Sequence, residues 1–247
     1  MTGMSTPLSF GKSDVGLKRS NNEDSFIIKP DLGFLALADG MGGAAAGEVA
    51  SQIFIDAAMD VFSRNARPSE QEAIELIQET FQLANERIQA HVKKNSHHEG
   101  MGCTAELIAF RDQFYFLGHV GDSRTYLFRQ GKLRQLTQDH SLVQDQVNQG
   151  LITPVEARKH PLKNVILRSV GVSESLAVDL LRGRSFPGDF FLLCSDGLTD
   201  MVEDSSIQKV LTLSISLSQK VERLIEFAKS AGGYDNITVI LCEVTVP

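Results

Sequence analysis

The stretch GFLALADG at residues 33–40 is a continuous apolar run that ends in an Asp-Gly pair. The stretch DFFLLCSDG at residues 189–197 has the same arrangement. An apolar run of this length predicts a buried strand, so Asp39 and Asp196 are expected at the rim of the core. A carboxylate in that position is costly unless it has a partner. The two strand ends therefore indicate an ion-binding rim.

The other common role of an Asp-Gly pair is in a turn or at a helix cap, because this dipeptide is frequent where chains reverse. Here the pattern follows two separate apolar runs, Asp122 follows the apolar segment FLGHVG, and Asp235 precedes NITVIL. Carboxylates at several strand ends can converge on one rim, and hard oxygen ligands of this kind suit Mg²⁺ or Mn²⁺. The recurrence favours a metal site over four unrelated turns.

The composition is that of an ordinary soluble globular protein, with 247 residues of which 42% are hydrophobic and 22% charged. This length predicts a single domain over residues 1–247. Acidic residues outnumber basic ones by 31 to 24, which gives a net charge of −7. Binding to a phosphate backbone needs a basic face, so we expect no nucleic-acid partner.

Three isolated cysteines and the N-terminal segment indicate the compartment. Cys103, Cys194 and Cys242 lie among apolar neighbours without a Cys-x-x-Cys pair, which favours reduced core thiols over a disulfide framework or a zinc site. The segment MTGMSTPLSF lacks the features of a signal peptide, and no window approaches the ~18 apolar residues of a membrane span. We expect a cytoplasmic monomer.

The order of the elements predicts the architecture. Strand patterns occupy residues 8–40, helical patterns follow at residues 45–64 and after the capping box of Ser69 and Glu72, and strands return from residue 102. Two more helices are expected at about residues 205–231, before a final strand. Grouped strands and grouped helices favour an α+β fold, with two mainly antiparallel sheets packed together and helices outside.

One segment interrupts this order. Residues 139–168 are polar, are broken by Pro154 and Pro161, and show helical patterns only in short pieces. A polar insertion of this kind commonly forms a lid or a substrate-contacting flap. We therefore predict a small flap subdomain here.

A rival motif overlaps the first Asp-Gly pair. The segment GMGGAA at residues 40–45 fits the G-x-G-x-x-A pattern of dinucleotide-binding proteins, and Asp60 follows at the spacing of the ribose-binding acid. Three observations count against it. A second helix follows in place of a parallel strand, Asp60 falls inside a helical pattern, and Asp39 would stand beside the pyrophosphate.

At this point the residues resemble a known family, the metal-dependent Ser/Thr protein phosphatases of the PPM (type 2C) class in their bacterial form. The similarity covers nearly the whole chain in family order. The matching segments are GLKRSNNEDSF (16–26), LADGMGG (37–43), GCTA (102–105), GHVGDSRTYLFR (118–129), LTQDHSLVQDQVNQGLIT (136–153), NVILRSVG (164–171), LLCSDGLTD (192–200) and GGYDNITVI (232–240).

The resemblance implies a four-layer αββα sandwich with a site for two Mn²⁺ or Mg²⁺ ions at one end. By this likeness Asp39 bridges both ions, Asp196 and Asp235 ligate one of them, and the Gly40 carbonyl ligates the other. A pair of cations can clamp phosphoryl oxygens and activate a water for in-line attack. No covalent phosphoenzyme is then needed.

The same likeness assigns supporting roles. Glu23 and Asp24 would hold metal-bound waters, and Arg19 matches the family's phosphate-contacting arginine, whose guanidinium fork could grip two phosphoryl oxygens. Asp122 resembles the residue that helps Asp196 to hold a third ion in bacterial members. The alternative for Asp122 is a cap or a salt bridge with the nearby Arg124, and the sequence leaves this choice open.

Three positions depart from the family pattern, and one of them is Ala44, which stands where bacterial members often carry His. Met41 stands where many eukaryotic members carry His, so the general acid is not identified, and Tyr234 is bulkier than expected before Asp235. The function implied is hydrolysis of phosphoserine and phosphothreonine in proteins, opposing a bacterial Ser/Thr kinase. A catalytically silent type 2C-like binding module is the alternative. It would predict loss of ligands, and none is lost.

Overall fold

Two five-stranded sheets form the centre of the computed structural model, which describes residues 7–42, 46–65 and 68–245. Every neighbouring pair of these strands is antiparallel. The first sheet contains, in spatial order, β1 (Leu8–Asp14), β10 (Ile237–Glu243), β9 (Phe190–Cys194), β6 (Arg124–Arg129) and β7 (Lys132–Gln135). The second contains β2 (Asp24–Lys29), β3 (Phe34–Met41), β4 (Gly102–Arg111), β5 (Phe114–Val120) and β8 (Asp179–Arg184).

Helices cover the outer face of each sheet. Contacts group α1 and α2 with the second sheet and α6 and α7 with the first. The described helices are α1 (Gly47–Phe62), α2 (Glu70–Lys94), α3 (Leu142–Asn148), α4 (Pro154–Arg158), α5 (Asp196–Thr199), α6 (Asp204–Leu211) and α7 (Leu217–Ser230). None of them combines the length and hydropathy of a membrane span.

Strand β3 shows how the sequence produces the layers. Side chains alternate between the two faces of a strand, so Phe34, Ala36 and Ala38 pack under α1 and α2. Leu35 and Leu37 point the other way, into the apolar layer between the sheets. A third cluster lies between the first sheet and α6 and α7. The continuous apolar run is therefore explained by burial on both faces, and the predicted α+β sandwich is confirmed.

The helix starts agree with the local signals. Ser69 caps α2, because its Oγ accepts a hydrogen bond from the Glu72 backbone N–H (3.3 Å) while the Glu72 carboxylate accepts one from the Ser69 N–H (2.7 Å). This is the predicted capping box. Helix α1 begins at Gly47, two residues after the start of the expected helix. Residues 43–45, which include part of the GMGGAA motif, lie outside the described residues.

The dinucleotide-binding alternative is not supported by this topology. Strand β3 is followed by α1 and then by α2, and no described strand pair is parallel. Asp60 lies inside α1 and pairs with Arg87 at 2.7 Å. Its carboxylate is therefore committed to a helix-helix ion pair on the surface and does not follow a second strand.

The polar segment predicted as a flap contains α3 and α4. A bridge between Ser141 and Ile166 brings its two ends together, and the Leu142 N–H donates to the Val165 carbonyl at 2.9 Å. These contacts close a loop of chain beside the sandwich. The division of residues 1–247 into one catalytic domain with a flap subdomain at 139–168 stays a prediction. The three cysteines are buried, as expected.

The capping box provides a test of the local structure. Ser69→Ala removes an acceptor for the first turn of α2, so we expect the free energy of unfolding to fall by about 1 kcal/mol in urea denaturation. Gln78→Ala on the exposed face of the same helix is the control, with an expected change within about 0.5 kcal/mol. Equal effects of the two substitutions would contradict the capping role.

Candidate metal centre

Two carboxylates lie side by side at one end of the second sheet. Asp39 shares the face of β3 that carries Leu35 and Leu37, so its side chain points toward the space between the sheets. Asp24 is its direct partner across the β2–β3 pair. Side chains at such paired positions are close neighbours, with Cβ atoms about 4.5–5.5 Å apart. The sheet register itself therefore brings two negative charges together.

Asp24 also connects the two sheets. Its Oδ2 accepts hydrogen bonds from Ser195 Oγ (2.9 Å) and Thr238 Oγ1 (2.6 Å), and both donors belong to the first-sheet side of the sandwich. Ser195 Oγ in turn accepts from the Thr238 backbone N–H at 2.9 Å. The Oδ1 atom of Asp24 is buried without a hydrogen-bond partner. One oxygen is thus used for structure, and the other remains available to a ligand.

Asp196 and Asp235 come from the first sheet, although neither lies in a strand. Asp196 follows β9 by two residues and opens the short helix α5. Asp235 lies two residues before β10, and its Oδ1 accepts from the Asn236 backbone N–H at 2.8 Å. Its Oδ2 accepts from Arg19 Nη2 at 2.7 Å. The structure therefore brings the predicted phosphate-binding arginine to the same rim.

Gly40 and Glu23 lie where β3 approaches the start of α1. The Gly40 N–H donates to the Glu23 carbonyl at 3.1 Å. A Cβ atom on Gly40 would lie 2.1 Å from the carbonyl oxygen of Gly47, so only glycine fits without moving the backbone. The Glu23 carboxylate lies against Gly47, and burial followed by repulsion from Glu48 raises its pKa.

The carboxylates repel one another strongly. Burial raises the pKa of Asp39 well above its usual range, and the charges of Asp24 and Asp196 raise it further. Burial likewise raises the pKa of Asp196, with Asp122 among the charges that add to the shift. For Asp24, burial raises the pKa to about 6. A group of acids that disfavour their own ionisation attracts a cation, because a cation stabilises every charged form at once.

Asp122 is buried and lines a cavity of about 220 Å³. It is 7% exposed, its Oδ1 has no hydrogen-bond partner, and burial followed by repulsion from Asp139 and Asp200 raises its pKa to about 7. The alternative of a salt bridge to Arg124 is not what the structure contains, because Arg124 binds Asp139 at 2.6 Å. Asp196 lines the same cavity.

These residues fit a hard divalent cation. The donor set consists of carboxylate and carbonyl oxygens, and Asp24 and Asp122 each leave one buried oxygen unpartnered. Within the described ranges no three His, Cys, Asp or Glu side chains already converge on a single ion position. The Asp235 carboxylate contacts Arg19 in this arrangement.

Comparison with known proteins identifies the family. Residues 17–242 match the family model described as Protein phosphatase 2C. The chain belongs to the protein phosphatase 2C family. This 2C chain is 38% identical over 232 residues to "Protein phosphatase PhpP" of Streptococcus pneumoniae serotype 2, with 93% of this chain and 94% of the relative covered.

Solved structures of the family have the same fold as this 2C chain. It is similar to the crystal structure of the Mycobacterium tuberculosis serine/threonine phosphatase PstP/Ppp, with a TM-score of 0.91 and 40% identity over 97% of this chain and 99% of that one. It is also similar to the catalytic domain of PstP in complex with two manganese ions, with a TM-score of 0.88 and 39% identity over 97% and 98% of the two chains. The predicted family membership is confirmed.

The sequence did not point to several residues that position the groups of this candidate metal centre. Asn236 donates from Nδ2 to the carbonyls of Val15 (3.0 Å) and Asn21 (2.9 Å), and its Oδ1 accepts from the Glu23 N–H (2.8 Å). It therefore fixes the loop that carries Arg19. Its position directly after Asp235 was the available signal. The hydroxyls that hold Asp24 gave no comparable signal, because isolated Ser and Thr residues occur throughout the chain.

The buried charge of Asp122 predicts a pH-dependent stability of the metal-free protein. Its pKa is raised from 3.8 to about 7 in the folded state, so its favourable contribution is complete below pH 3.8 and is lost as the pH rises through about 7. Asp122→Asn stays neutral. In the presence of chelator we expect it to unfold about 2–8 °C above the wild type at pH 8, corresponding to roughly 1–2 kcal/mol.

The difference should be much smaller near pH 4.5, where the wild-type carboxyl is largely protonated when folded, and should vanish below about pH 3.8, where it is protonated in both states. Asp56→Asn on the exposed face of α1 is the control, and its difference from the wild type should not follow this pH course. Thermal melts at both pH values provide the measurement. An Asp122→Asn protein that is less stable than the wild type at pH 8 would contradict this account of the site.

Proposed function

We propose that this protein is a metal-dependent phosphatase that hydrolyses phosphoserine and phosphothreonine in other proteins. The observation that carries the proposal is that the charges of Asp196 and Asp235 act on the buried end of Asp39, while Arg19 Nη2 lies 2.7 Å from Asp235 Oδ2. Hydrolysis of a phosphate ester on two metal ions requires carboxylates that hold the ions and a cationic group that holds the phosphate. Asp235 and Arg19 are such a pair, in direct contact. The names of the relatives PhpP and PstP support the same activity.

In this proposal two Mn²⁺ or Mg²⁺ ions are held by the chain's own oxygens. Asp39 on β3 would help to hold both ions, Asp196 and Asp235 would hold one of them, and the Gly40 carbonyl would hold the other. The PstP catalytic domain was solved with two manganese ions, which supports the count and leaves Mg²⁺ as a second candidate. When bound, such ions neutralise phosphoryl oxygens and lower the pKa of a coordinated water.

Glu23 and Asp24 have the more indirect roles. Asp24 has one oxygen held by Ser195 and Thr238 and one without a partner, so it is suited to accept a hydrogen bond from a coordinated water. The Glu23 carboxylate lies beside Gly47 at the start of α1, next to the Gly40 backbone. We therefore propose that both residues orient waters and that neither contacts the ions directly.

Arg19 positions the phosphoryl group. Its side chain is 52% exposed and its guanidinium holds Asp235, so one edge of the fork contacts the metal centre while solvent and substrate can reach the rest. The planar fork matches two phosphoryl oxygens, which a lysine cannot do with the same geometry. Arg19 would thereby fix the orientation of the ester relative to the ions.

Asp122, Asp196 and residues of the flap line the same cavity. The unpartnered oxygen of Asp122 faces the cavity that Asp196 also lines, and this supports a third, weaker ion between them. Across the cavity the flap contacts the core through Arg158 Nη2, which donates to the Thr199 carbonyl at 2.9 Å, and through an ion pair between Lys163 and Asp200. We propose that the flap takes part in contacts with the protein substrate.

The kinase, the compartment and the oligomeric state are also proposed. The substrate proteins would be phosphorylated by a Ser/Thr kinase, and the enzyme would act in the cytoplasm as a monomer. The three buried cysteines, none of them in a disulfide, are compatible with a reducing compartment. The silent-module alternative is disfavoured because each expected ligand is present, and turnover distinguishes the two.

The decisive experiment combines metal dependence with ligand substitution. The wild type should hydrolyse p-nitrophenyl phosphate and phosphoserine and phosphothreonine peptides with Mn²⁺, but phosphotyrosine peptides poorly. Asp39→Asn and Asp196→Asn should each reduce kcat/KM by about 10³-fold or more, because a metal centre that loses a ligand no longer activates water. Initial rates with Mn²⁺, Mg²⁺ or chelator provide the measurement.

Asp60→Asn is the matched control, because Asp60 belongs to an ion pair on α1 away from the rim. Its rates should stay within about twofold of the wild type. Folding of each variant is checked by circular dichroism. Full activity in the presence of chelator, or unchanged turnover in both ligand variants, would refute the two-metal mechanism.

A further inference from the structure

An exposed aromatic side chain stands next to the metal centre and has no role in the proposed chemistry. Tyr234 is 60% exposed and directly precedes Asp235, whose carboxylate contacts Arg19. Consecutive Cα atoms are 3.8 Å apart, so the ring is anchored one residue from the phosphate-binding pair. Large aromatic side chains exposed in a site mark positions where a partner molecule is contacted.

The backbone that carries Tyr234 is held on both sides. Gly232 and Gly233 have φ angles of +134° and +52°, and the Gly233 N–H donates to the Ala228 carbonyl at 3.0 Å, which fixes the end of α7. The Gly233 carbonyl accepts from the Leu17 N–H at 2.8 Å. On the other side of Tyr234, the side chain of Asn236 bonds to the loop that carries Arg19. The backbone that carries the ring is therefore held at both ends.

The ring itself lies along this base. A Cβ atom on Gly232 would fall 2.5 Å from Cε2 of Tyr234, so the ring covers the glycine backbone, and glycine is what permits this close approach. A Cβ atom on Gly233 would lie 3.0 Å from Cγ of Leu17, which is 58% exposed. Tyr234 and Leu17 thus lie on two chain segments that contact each other at Gly233. Arg19 lies two residues beyond Leu17.

We infer that Tyr234 and Leu17 form an apolar subsite for a bulky apolar residue adjacent to the phosphorylated residue of the substrate. The inference rests on the proposed phosphatase function. An extended peptide advances about 3.3 Å per residue, so a side chain one or two positions from the phosphoresidue reaches the ring while the phosphate contacts Arg19. A tyrosine supplies a large contact area at low conformational entropy, which suits it to this task.

The occupant is a segment of the substrate because the subsite is continuous with the phosphate-binding pair. Leu17 precedes Arg19 by two residues, Tyr234 directly precedes Asp235, and the Leu17 N–H donates to the Gly233 carbonyl, so both side chains belong to the two segments that carry the phosphate-binding pair. A peptide with glycine at the neighbouring positions would leave this surface in water.

The test compares phosphothreonine peptides that differ only in Phe or Gly at the one or two positions on either side of the phosphoresidue. With Mn²⁺ we expect the wild type to prefer the Phe peptide by about five- to tenfold in kcat/KM at one or more of these positions. In Tyr234→Ser the preference should fall to within about twofold. Tyr234→Phe should retain it, because the contact is made by the ring.

Phe186→Ser is the matched control. Phe186 is 44% exposed, and it precedes β9 while Asp196 follows it, so it lies at the opposite end of the same sheet. This variant should keep the wild-type preference. A wild type without preference, a preference that survives in Tyr234→Ser, or a preference lost in Tyr234→Phe would each overturn the inference.

Binding separates this inference from the proposed function. Failure of the wild type to hydrolyse any phosphopeptide with Mn²⁺ would refute the phosphatase activity. Fluorescence anisotropy of the same labelled peptides in the presence of chelator still measures the Phe-to-Gly ratio of Kd. A Kd ratio of about five or more that Tyr234→Ser abolishes supports the subsite, and equal Kd values in the wild type contradict it.

Discussion

The crowding of carboxylates at one end of the sandwich is the constraint on which the rest of the structure depends. Asp24 and Asp39 face each other across a strand pair, and the half-buried Asp196 and the buried Asp122 come from other parts of the chain. Bringing these groups out of water and close together opposes folding, because both burial and mutual repulsion penalise their charged forms. The three apolar layers supply the favourable free energy that holds them there.

Hydrogen bonds hold the repelling carboxylates in place. The hydroxyls of Ser195 and Thr238 reach from one sheet to Asp24 on the other, so the two sheets are joined at the point where the carboxylates gather. Asn236 joins the loop of Asp235 to the loop of Arg19 in a similar way. Because Ser195 and Thr238 occupy only one oxygen of Asp24, the other oxygen remains for a cation, and the site trades stability for binding.

Much of this could be predicted from the chain alone. The apolar run before Asp39, the capping box of α2 and the order of strands and helices are local signals, and the structure agrees with each of them. The prediction that Asp39 and Asp196 both lie at strand ends was less accurate, because Asp39 lies inside β3 and Asp196 begins α5. Burial patterns show where an apolar run ends, but hydrogen bonding to neighbouring strands decides where the strand ends.

The sequence by itself determined the family, the sandwich class and the identity of the acids expected at the rim, because periodic burial and short motifs are written in consecutive residues. Only the tertiary structure decided which of those acids face one another. It placed Arg124 against Asp139 and so left Asp122 without an ion pair to that arginine. It also decided that Leu17 lies beside Gly233, the residue before Tyr234. These are contacts between residues up to about two hundred positions apart, and their geometry follows from sheet register and packing, which no local pattern encodes.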